Sequence, residues 1–208
     1  MKQASQTLKI MRRAQTAAGF SMIELLIVAS LVIALTAISI FMLSPQRRAY
    51  RSEDAAAQTA NFLRDAYQRA LSQRQIFRVQ IDRANRLIQI IDENKLPQGD
   101  EREVRRDVLI DEVNFDPPVF NGTTVGPPAA PYNYPTAVYS SNLWTARFRS
   151  DGSVVDTNGN LMSATLFFSP TNSQTIDKRL VRAVTLFGPS GSVRVWKYDG
   201  TNFDAGGR

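Results

Sequence analysis

The sequence predicts an α+β protein in which a long N-terminal helix packs against a C-terminal antiparallel β-sheet domain. The first observation is an apolar run, residues 20–43, that contains one charged residue. The second is a spacing of three and four between apolar residues that continues to about residue 75, which is typical of an amphipathic helix. The third is a series of short strand-like segments separated by glycine and proline, which extends to the C-terminus. We therefore divide the chain into a basic segment 1–19, an apolar helix 20–44, its amphipathic continuation 45–75 and a β-rich domain 76–208.

The charge of the chain is concentrated at its N-terminus. The formal net charge is +6, but four of the 25 basic residues and none of the 19 acidic residues precede Gly19, so the remainder carries +2. Such a balance gives little support for a large nucleic-acid footprint. The chain has no cysteine and no histidine. Because histidine is the usual general base near neutral pH and a common metal ligand, we expect neither an enzyme nor a cofactor or metal site.

The apolar run is long enough to cross a bilayer as a helix, because about 20 apolar residues suffice. Basic residues precede it, and the positive-inside rule keeps that side cytoplasmic. Its one charged residue, Glu24, is costly in a membrane unless it has a partner or a function. A secretory signal would place its cleavage site after the apolar core, whereas Gly19 lies before it. An uncleaved membrane anchor is the simpler alternative.

The segment from Gly19 to Leu26, with the sequence GFSMIELL, resembles the class III signal of type IV prepilins and type II secretion pseudopilins. The resemblance implies that residues 1–19 form a leader that a prepilin peptidase removes after Gly19. It implies that Phe20 becomes the N-methylated first residue and that Glu24 serves methylation and assembly. A pairing of Glu24 with the Phe20 amine of a neighbouring subunit would set the register of a filament. Snorkelling of Glu24 to the lipid headgroups is the alternative.

The amphipathic continuation carries apolar residues on one face: Ala49, Ala56, Ala60, Leu63, Ala66, Tyr67, Ala70 and Leu71. Alanines in its first half permit close approach of a sheet or another helix. Pro45 precedes this stretch and removes a helical hydrogen bond. We predict a hinge at Pro45 rather than the end of the helix.

The remainder reads as antiparallel strands. We predict a hairpin from 76–82 and 87–92 and further strands at 104–115, 143–149, 161–169, 179–187 and 192–198. The segments 148–153 (FRSDGS) and 191–195 (GSVRV) resemble the C-terminal region of minor pilins and pseudopilins of the GspH/FimT kind. A loop rich in proline and glycine at about 116–135 lies between the two groups of strands. Tyr132 and Tyr134 make this loop a candidate contact surface, although a decorating loop is the interpretation we favour.

Two further motifs have competing interpretations. Residues 156–160 (DTNGN) place oxygen ligands at alternate positions, as at the start of a calcium loop, but no distal glutamate follows at the expected spacing. A hairpin turn is therefore favoured. Arg182, Arg194, Trp196 and Lys197 place cations beside an aromatic ring, which is one way to bind nucleic acid, and some pilins of the FimT kind bind incoming DNA.

The resemblance implies a minor pilin or pseudopilin that is inserted once in the inner membrane, with its C-terminal domain in the periplasm, and then joins a pilus or pseudopilus. Its partners would be other pilins or pseudopilins through the N-terminal helix, the prepilin peptidase and methylase, and the inner-membrane assembly platform. DNA is a further partner under the alternative of a DNA-uptake pilin. The sequence leaves the choice between a type IV pilus and a type II secretion system open.

Overall fold

A computed structural model describes residues 21–93, 102–108, 113–171 and 177–205, with backbone only for residues 38–49 and 102. The chain forms two compact units, residues 1–43 and residues 44–208. The first contains the beginning of the long helix. The second contains the remainder of that helix and all of the described strands.

Helix α1 extends from Met22 to Gln73. It continues through Pro45, so the prediction that the helix does not end there is confirmed, whereas the hinge at Pro45 stays a prediction. Its C-terminus lies two residues before the predicted end. Arg74 has a φ of 53° and the amide of Gln75 donates to the carbonyl of Ala70 at 3.3 Å. This is the Schellman arrangement, in which a residue in the left-handed region ends a helix.

The strands, in chain order, are β1 Phe77–Asp82, β2 Leu87–Asp92, β3 Arg102–Val108, β4 Val113–Asn114, β5 Val119–Phe120, β6 Thr123–Thr124, β7 Leu143–Phe148, β8 Val154–Val155, β9 Ala164–Pro170, β10 Arg182–Phe187, β11 Ser192–Tyr198 and β12 Phe203–Ala205. They form one five-stranded sheet in the order β3-β2-β1-β7-β8 and a second in the order β12-β11-β10-β9-β4. All of the strand pairs are antiparallel. The predicted α+β class is confirmed.

The predicted hairpin is correct, and Asp82 explains its turn. Its carboxylate accepts hydrogen bonds from the amides of Ala84 and Asn85, as short acidic side chains do in turns. The predicted strand 104–115 is wrong, because β3 belongs to the first sheet and β4 to the second. The predicted strand 179–187 begins only at Arg182, because Asp177 caps a short 3-10 helix, Lys178–Leu180, that occupies the start of that segment.

The main core of the second unit lies between α1 and the two sheets. The helix contributes Ala55, Ala56, Ala60, Phe62, Leu63, Ala66 and Ala70, all fully buried. Phe77 and Phe148 of the first sheet and Phe168 of the second pack in the same cluster. Most of the predicted stripe is therefore buried, but Leu71 is 40% exposed. Leu71 lies in the last turn of the helix, next to the exposed residues 72–74.

A smaller core lies on the opposite face of the second sheet. Phe167, Val181, Ala183 and Trp196 form it together with Phe120 and Val125 of the loop, and Tyr132 packs against it. The loop 116–135, which we expected to be irregular, contains one small hairpin, β5 and β6. Its apolar residues cover this sheet face, so β10 is buried on both sides. The loop therefore has a packing function.

Two turns, which contain Gly152 and Gly191, pack against the side chain of Tyr67 on α1. A Cβ atom at Gly191 would lie 2.6 Å from Cε2 of Tyr67, and one at Gly152 would lie 3.4 Å from the same atom. Both glycines have positive φ angles, 61° and 84°. Because a side chain at Gly191 would collide with the tyrosine ring, the spacing between helix and turn requires glycine there.

Candidate functional site

The first turn of α1 contains the acidic residue that the sequence singles out. The helix begins at Met22, the amide of Leu25 donates to the carbonyl of Ser21 at 3.1 Å, and Glu24 lies within this turn. A carboxylate near a helix N-terminus is favoured by the partial positive charge of the unpaired amides. The carboxylate of Glu24 is solvent-exposed in this structure. It is thus available to a cation outside the chain.

The helix surface that follows is apolar and uncovered. Every residue from Ser21 to Ala37 is exposed. Large apolar side chains on all sides of the helix show more than half of their area, including Ile23, Leu26, Leu31 and Ile33. Burial of one such side chain stabilises a protein by about 1.5–3 kcal/mol, so water is an unfavourable surrounding for this surface.

Two hydroxyl side chains of this segment donate hydrogen bonds to its own backbone. The hydroxyl of Ser30 donates to the carbonyl of Ile27 at 2.8 Å, and that of Thr36 donates to the carbonyl of Val32 at 2.6 Å. Such bonds satisfy the hydroxyl donor without water. They are compatible with an apolar environment around the helix.

Within the part of the chain whose side chains are described, no helix is long and apolar enough to cross a membrane. That part stops at Ala37 and resumes at Tyr50. Gly19 and Phe20, the residues of the predicted cleavage and methylation site, lie outside the described residues.

The four candidate DNA-binding residues do not form one surface. Arg182 is 5% exposed, and its guanidinium donates to Glu53 of α1 at 3.0 Å and to the carbonyl of Arg179 at 2.7 Å. Trp196 is 6% exposed, and its indole N–H donates to the hydroxyl of Thr185 at 2.8 Å. Neither side chain is free to contact a phosphate or a base.

Arg194 and Lys197 are exposed. Because side chains alternate along a strand, the spacing of three places them on opposite faces of β11. The guanidinium of Arg194 lies 4.7 Å from the centre of the Tyr132 ring. Tyr132 also packs on Trp196, with 4.9 Å between ring centres. Arg194 therefore packs on Tyr132, a residue of the loop that covers the second sheet.

The DTNGN segment forms a turn. The carboxylate of Asp156 accepts hydrogen bonds from the amides of Asn158 and Asn160, and Gly159 has a φ of 86°. These bonds hold the pKa of Asp156 below its ordinary value. The favoured interpretation as a hairpin turn is confirmed. Among the described residues, no group of three or more acidic, histidine or cysteine side chains is placed to hold a metal ion.

A cleft with a volume of about 690 Å³ lies beside β7. Trp144, Thr145 and Val138 line it, together with Asp82 and Asp156. Both carboxylates already accept hydrogen bonds within their own turns.

No protein-family model and no curated protein sequence matches the chain. Among solved structures, it is similar to the type IV minor pilin FimU of Pseudomonas aeruginosa strain PAO1, with 14% sequence identity and a TM-score of 0.45 over 73% of this chain and 96% of that chain. It is also similar to the minor pseudopilin EpsH of the type II secretion system of Vibrio cholerae, with 16% identity and a TM-score of 0.45 over 70% of this chain and 95% of that chain. At these levels of similarity, inferences about function depend on the chain's own residues.

Proposed function

We propose that this chain is a minor pilin or minor pseudopilin, a subunit that is incorporated into a type IV pilus or type II secretion pseudopilus or primes its assembly. The observation that carries the proposal is the exposed apolar helix, which begins within the GFSMIE motif and has the glutamate of that motif, Glu24, as the carboxylate of its first turn. Its role is structural rather than enzymatic.

The proposed maturation begins in the inner membrane. The apolar segment 20–44 inserts once, with the basic leader 1–19 in the cytoplasm and the domain 76–208 in the periplasm. A prepilin peptidase cleaves after Gly19, and the new amine of Phe20 is methylated. Four basic residues leave with the leader, so the mature subunit is nearly neutral.

Assembly uses the same helix. Its apolar side chains pass from lipid to neighbouring pilin helices, so each stays away from water. Glu24 then needs a counter-charge, because an unpaired carboxylate in an apolar environment is costly. The methylated amine of Phe20 on an adjacent subunit supplies that charge. Because the pair forms at one axial offset, it sets the register between subunits as the assembly platform extracts them.

The role of Glu24 is tested in the native host by chemical cross-linking of the intact filament. We expect Glu24→Leu to accumulate in the membrane as mature protein and to disappear from cross-linked, high-mass species. Glu24→Asp, which keeps the charge, should retain part of the assembly. Incorporation of Glu24→Leu at the level of the unmodified chain would refute the proposed pairing.

The DNA-uptake alternative rests on Arg194 and Lys197, because Arg182 and Trp196 are buried. It predicts salt-sensitive binding of duplex DNA by the chain. Replacing both exposed residues with alanine should then abolish a gel shift. Binding that is absent or unchanged by the double substitution would reject this alternative.

A further inference from the structure

We propose that Asn121 is a site of spontaneous covalent modification, at which the side-chain amide becomes a carboxylate and part of the product is isoaspartate. The residue lies with Gly122 in the turn between β5 and β6, in the loop that covers the second sheet. The reaction needs water and no enzyme. The inference concerns the domain alone and does not depend on the proposed function.

The reaction joins the asparagine side chain to the backbone that follows it. The backbone nitrogen of Gly122 attacks Cγ of Asn121, and the side-chain nitrogen leaves as ammonia with the amide proton of the glycine. Water then opens the succinimide ring that has formed. If the bond from nitrogen to Cγ breaks, the product is aspartate, and if the bond from nitrogen to the backbone carbonyl carbon breaks, the product is isoaspartate. Either product carries a new negative charge at neutral pH.

The sequence contains two Asn-Gly pairs, Asn121-Gly122 and Asn158-Gly159, which provide an internal comparison. Both asparagines are exposed. Both glycines have positive φ angles, 78° and 86°, and nothing lies within 4 Å of the place where a Cβ atom would be. Glycine leaves the attacking nitrogen unhindered, because it has no side chain. From the sequence alone, the two pairs should react similarly.

The backbone amide of Gly159 is already hydrogen-bonded. It donates to the carbonyl of Asp156 at 3.2 Å, and the carboxylate of Asp156 accepts from the amides of Asn158 and Asn160 at 2.8 and 2.9 Å. The amide of Asp156 donates in turn to the carbonyl of Asn160 at 2.9 Å. The bond of Gly159 must break before its nitrogen can reach the side chain of Asn158. A hydrogen bond that must be broken first slows a reaction by about threefold to tenfold.

The amide of Gly122 has no such restraint. The hairpin pairs Phe120 with Thr123, so Asn121 and Gly122 lie in the turn outside the ladder. Among the described residues, neither the amide of Gly122 nor the side chain of Asn121 has a hydrogen-bond partner. No hydrogen bond therefore holds the attacking nitrogen or the side chain that it attacks within this part of the structure.

The turn must rotate before the nitrogen reaches Cγ, and the hairpin permits this rotation. Asn121 and Gly122 have φ angles of 49° and 78°, as in a type I′ turn. β5 and β6 contain two residues each, and residues 121–124 are exposed. Segments with few buried contacts and exposed backbone hydrogen bonds open locally at a small cost in free energy. The second pair lies beside the β-bridge between Val155 and Leu161, so the first pair should react first.

Isoaspartate changes the hairpin as well as its charge. The backbone of isoaspartate runs through the former side chain and is one carbon longer, so the tight turn no longer fits its strands. Phe120 and Val125, on either side of the hairpin tip, are 8% and 7% exposed in the small core under the loop. We expect the modification to loosen the contact between this part of the loop and the second sheet.

The test is peptide mass spectrometry of the full chain in detergent, sampled over time at neutral and at mildly alkaline pH. We expect the peptide with Asn121 to show the mass increase of deamidation about threefold to tenfold faster than the peptide with Asn158. Chromatography should separate isoaspartate from aspartate in the product. The rate should rise with pH, because the attacking nitrogen must lose its proton. In denaturant, the two asparagines should react at similar rates.

Two variants separate the causes. Asn121→Gln keeps the amide but would need a larger ring, so it should show no mass increase at position 121. Asp156→Ala removes the carboxylate bonds that hold the second turn, and the reaction at Asn158 should accelerate towards that at Asn121. Unfolding in denaturant measures the consequence for the loop. The modified chain should unfold at a lower denaturant concentration than the unmodified chain, whereas Asn121→Gln should not change after the same incubation.

Equal rates at the two asparagines in the folded chain, or a faster reaction at Asn158, would overturn the proposal. A mass increase without isoaspartate would also overturn it, because direct hydrolysis of the side-chain amide gives aspartate alone. An unchanged midpoint of unfolding in the modified chain would refute the loosening of the loop.

Discussion

At the scale of single residues, Gly191 and Tyr67 show how a sequence motif is explained by packing. The glycine belongs to a segment that resembles the C-terminal region of minor pilins. The turn before β11 lies against the tyrosine ring and leaves no space for a side chain. Steric fit, rather than chemical reactivity, therefore accounts for the glycine. The sequence indicated a turn at this position. It could not indicate the close approach, because the two residues are 124 positions apart.

Gly191→Ala should destabilise the domain by more than Gly159→Ala. Both residues have positive φ angles, so each substitution incurs a backbone cost of about 1–2 kcal/mol. At Gly159 nothing lies within 4 Å of the added carbon, whereas at Gly191 the Tyr67 ring must move. Chemical unfolding followed by tryptophan fluorescence measures both losses. Equal losses would show that the contact with Tyr67 is unimportant.

Arg182 is a residue for which the sequence predicted the wrong environment. As a cation on a strand near Trp196 in the sequence pattern, it is a candidate DNA-binding residue. Its burial depends on Glu53, which lies 129 positions earlier. Sequence periodicity does not reveal such a partner.

At the scale of elements, α1 was the most predictable part of the fold, because its apolar spacing persists over many turns. The second sheet was less predictable. The alternation between Val104 and Phe115 gives no sign that β3 and β4 belong to different sheets. The cover formed by the loop 116–135 also depends on long-range contacts, such as Tyr132 on Trp196, that composition does not encode.

The alanine face of α1 should not accept larger side chains. Ala60 is fully buried, whereas Ala57, three residues earlier in the helix, is exposed. We expect Ala60→Leu to lower the free energy of unfolding by about 1–3 kcal/mol, as overpacking does. Ala57→Leu, with the same change in volume, should have little effect. Similar losses for the two variants would contradict the close packing of this face.

An ion pair between Arg105 of the edge strand β3 and Asp65 of α1 connects the strand to the helix. Arg69 and Arg105 contact the two oxygens of Asp65 at 2.7 and 3.0 Å. Partial burial works to raise the pKa of Asp65, but the hydrogen bonds and charges of the two arginines outweigh it and keep the pKa below its ordinary value of 3.8. The stabilising contribution is thus complete above that value and is lost as the pH falls through the lowered pKa.

Between pH 5 and pH 3, we expect Asp65→Asn to lose less stability than the unmodified chain. Unfolding curves at several pH values measure the difference. Asp204→Asn, at an exposed position of β12, provides the control and should keep the full dependence on pH. An unchanged acid dependence in Asp65→Asn would show that the two arginine contacts do not persist in solution.

At the scale of the whole molecule, the two units differ in how much of their apolar surface is exposed to water. The second unit buries a continuous core between α1 and two sheets, and a smaller core beneath the loop. The first unit exposes apolar side chains on every described side. A helix that is apolar all round belongs in lipid or among other helices. The proposed processing of the N-terminus is therefore the step that decides what surrounds this surface.

The most direct test of this account is the N-terminus of the chain after expression with and without a prepilin peptidase. Mass spectrometry of the N-terminal peptide should show a protein that begins at Phe20 and carries one methyl group on its amine when the enzyme is present. Gly19→Leu should leave residues 1–19 attached under the same conditions. A chain that keeps its first 19 residues in the presence of an active peptidase, or that is cut elsewhere, would contradict its assignment as a pilin-like subunit.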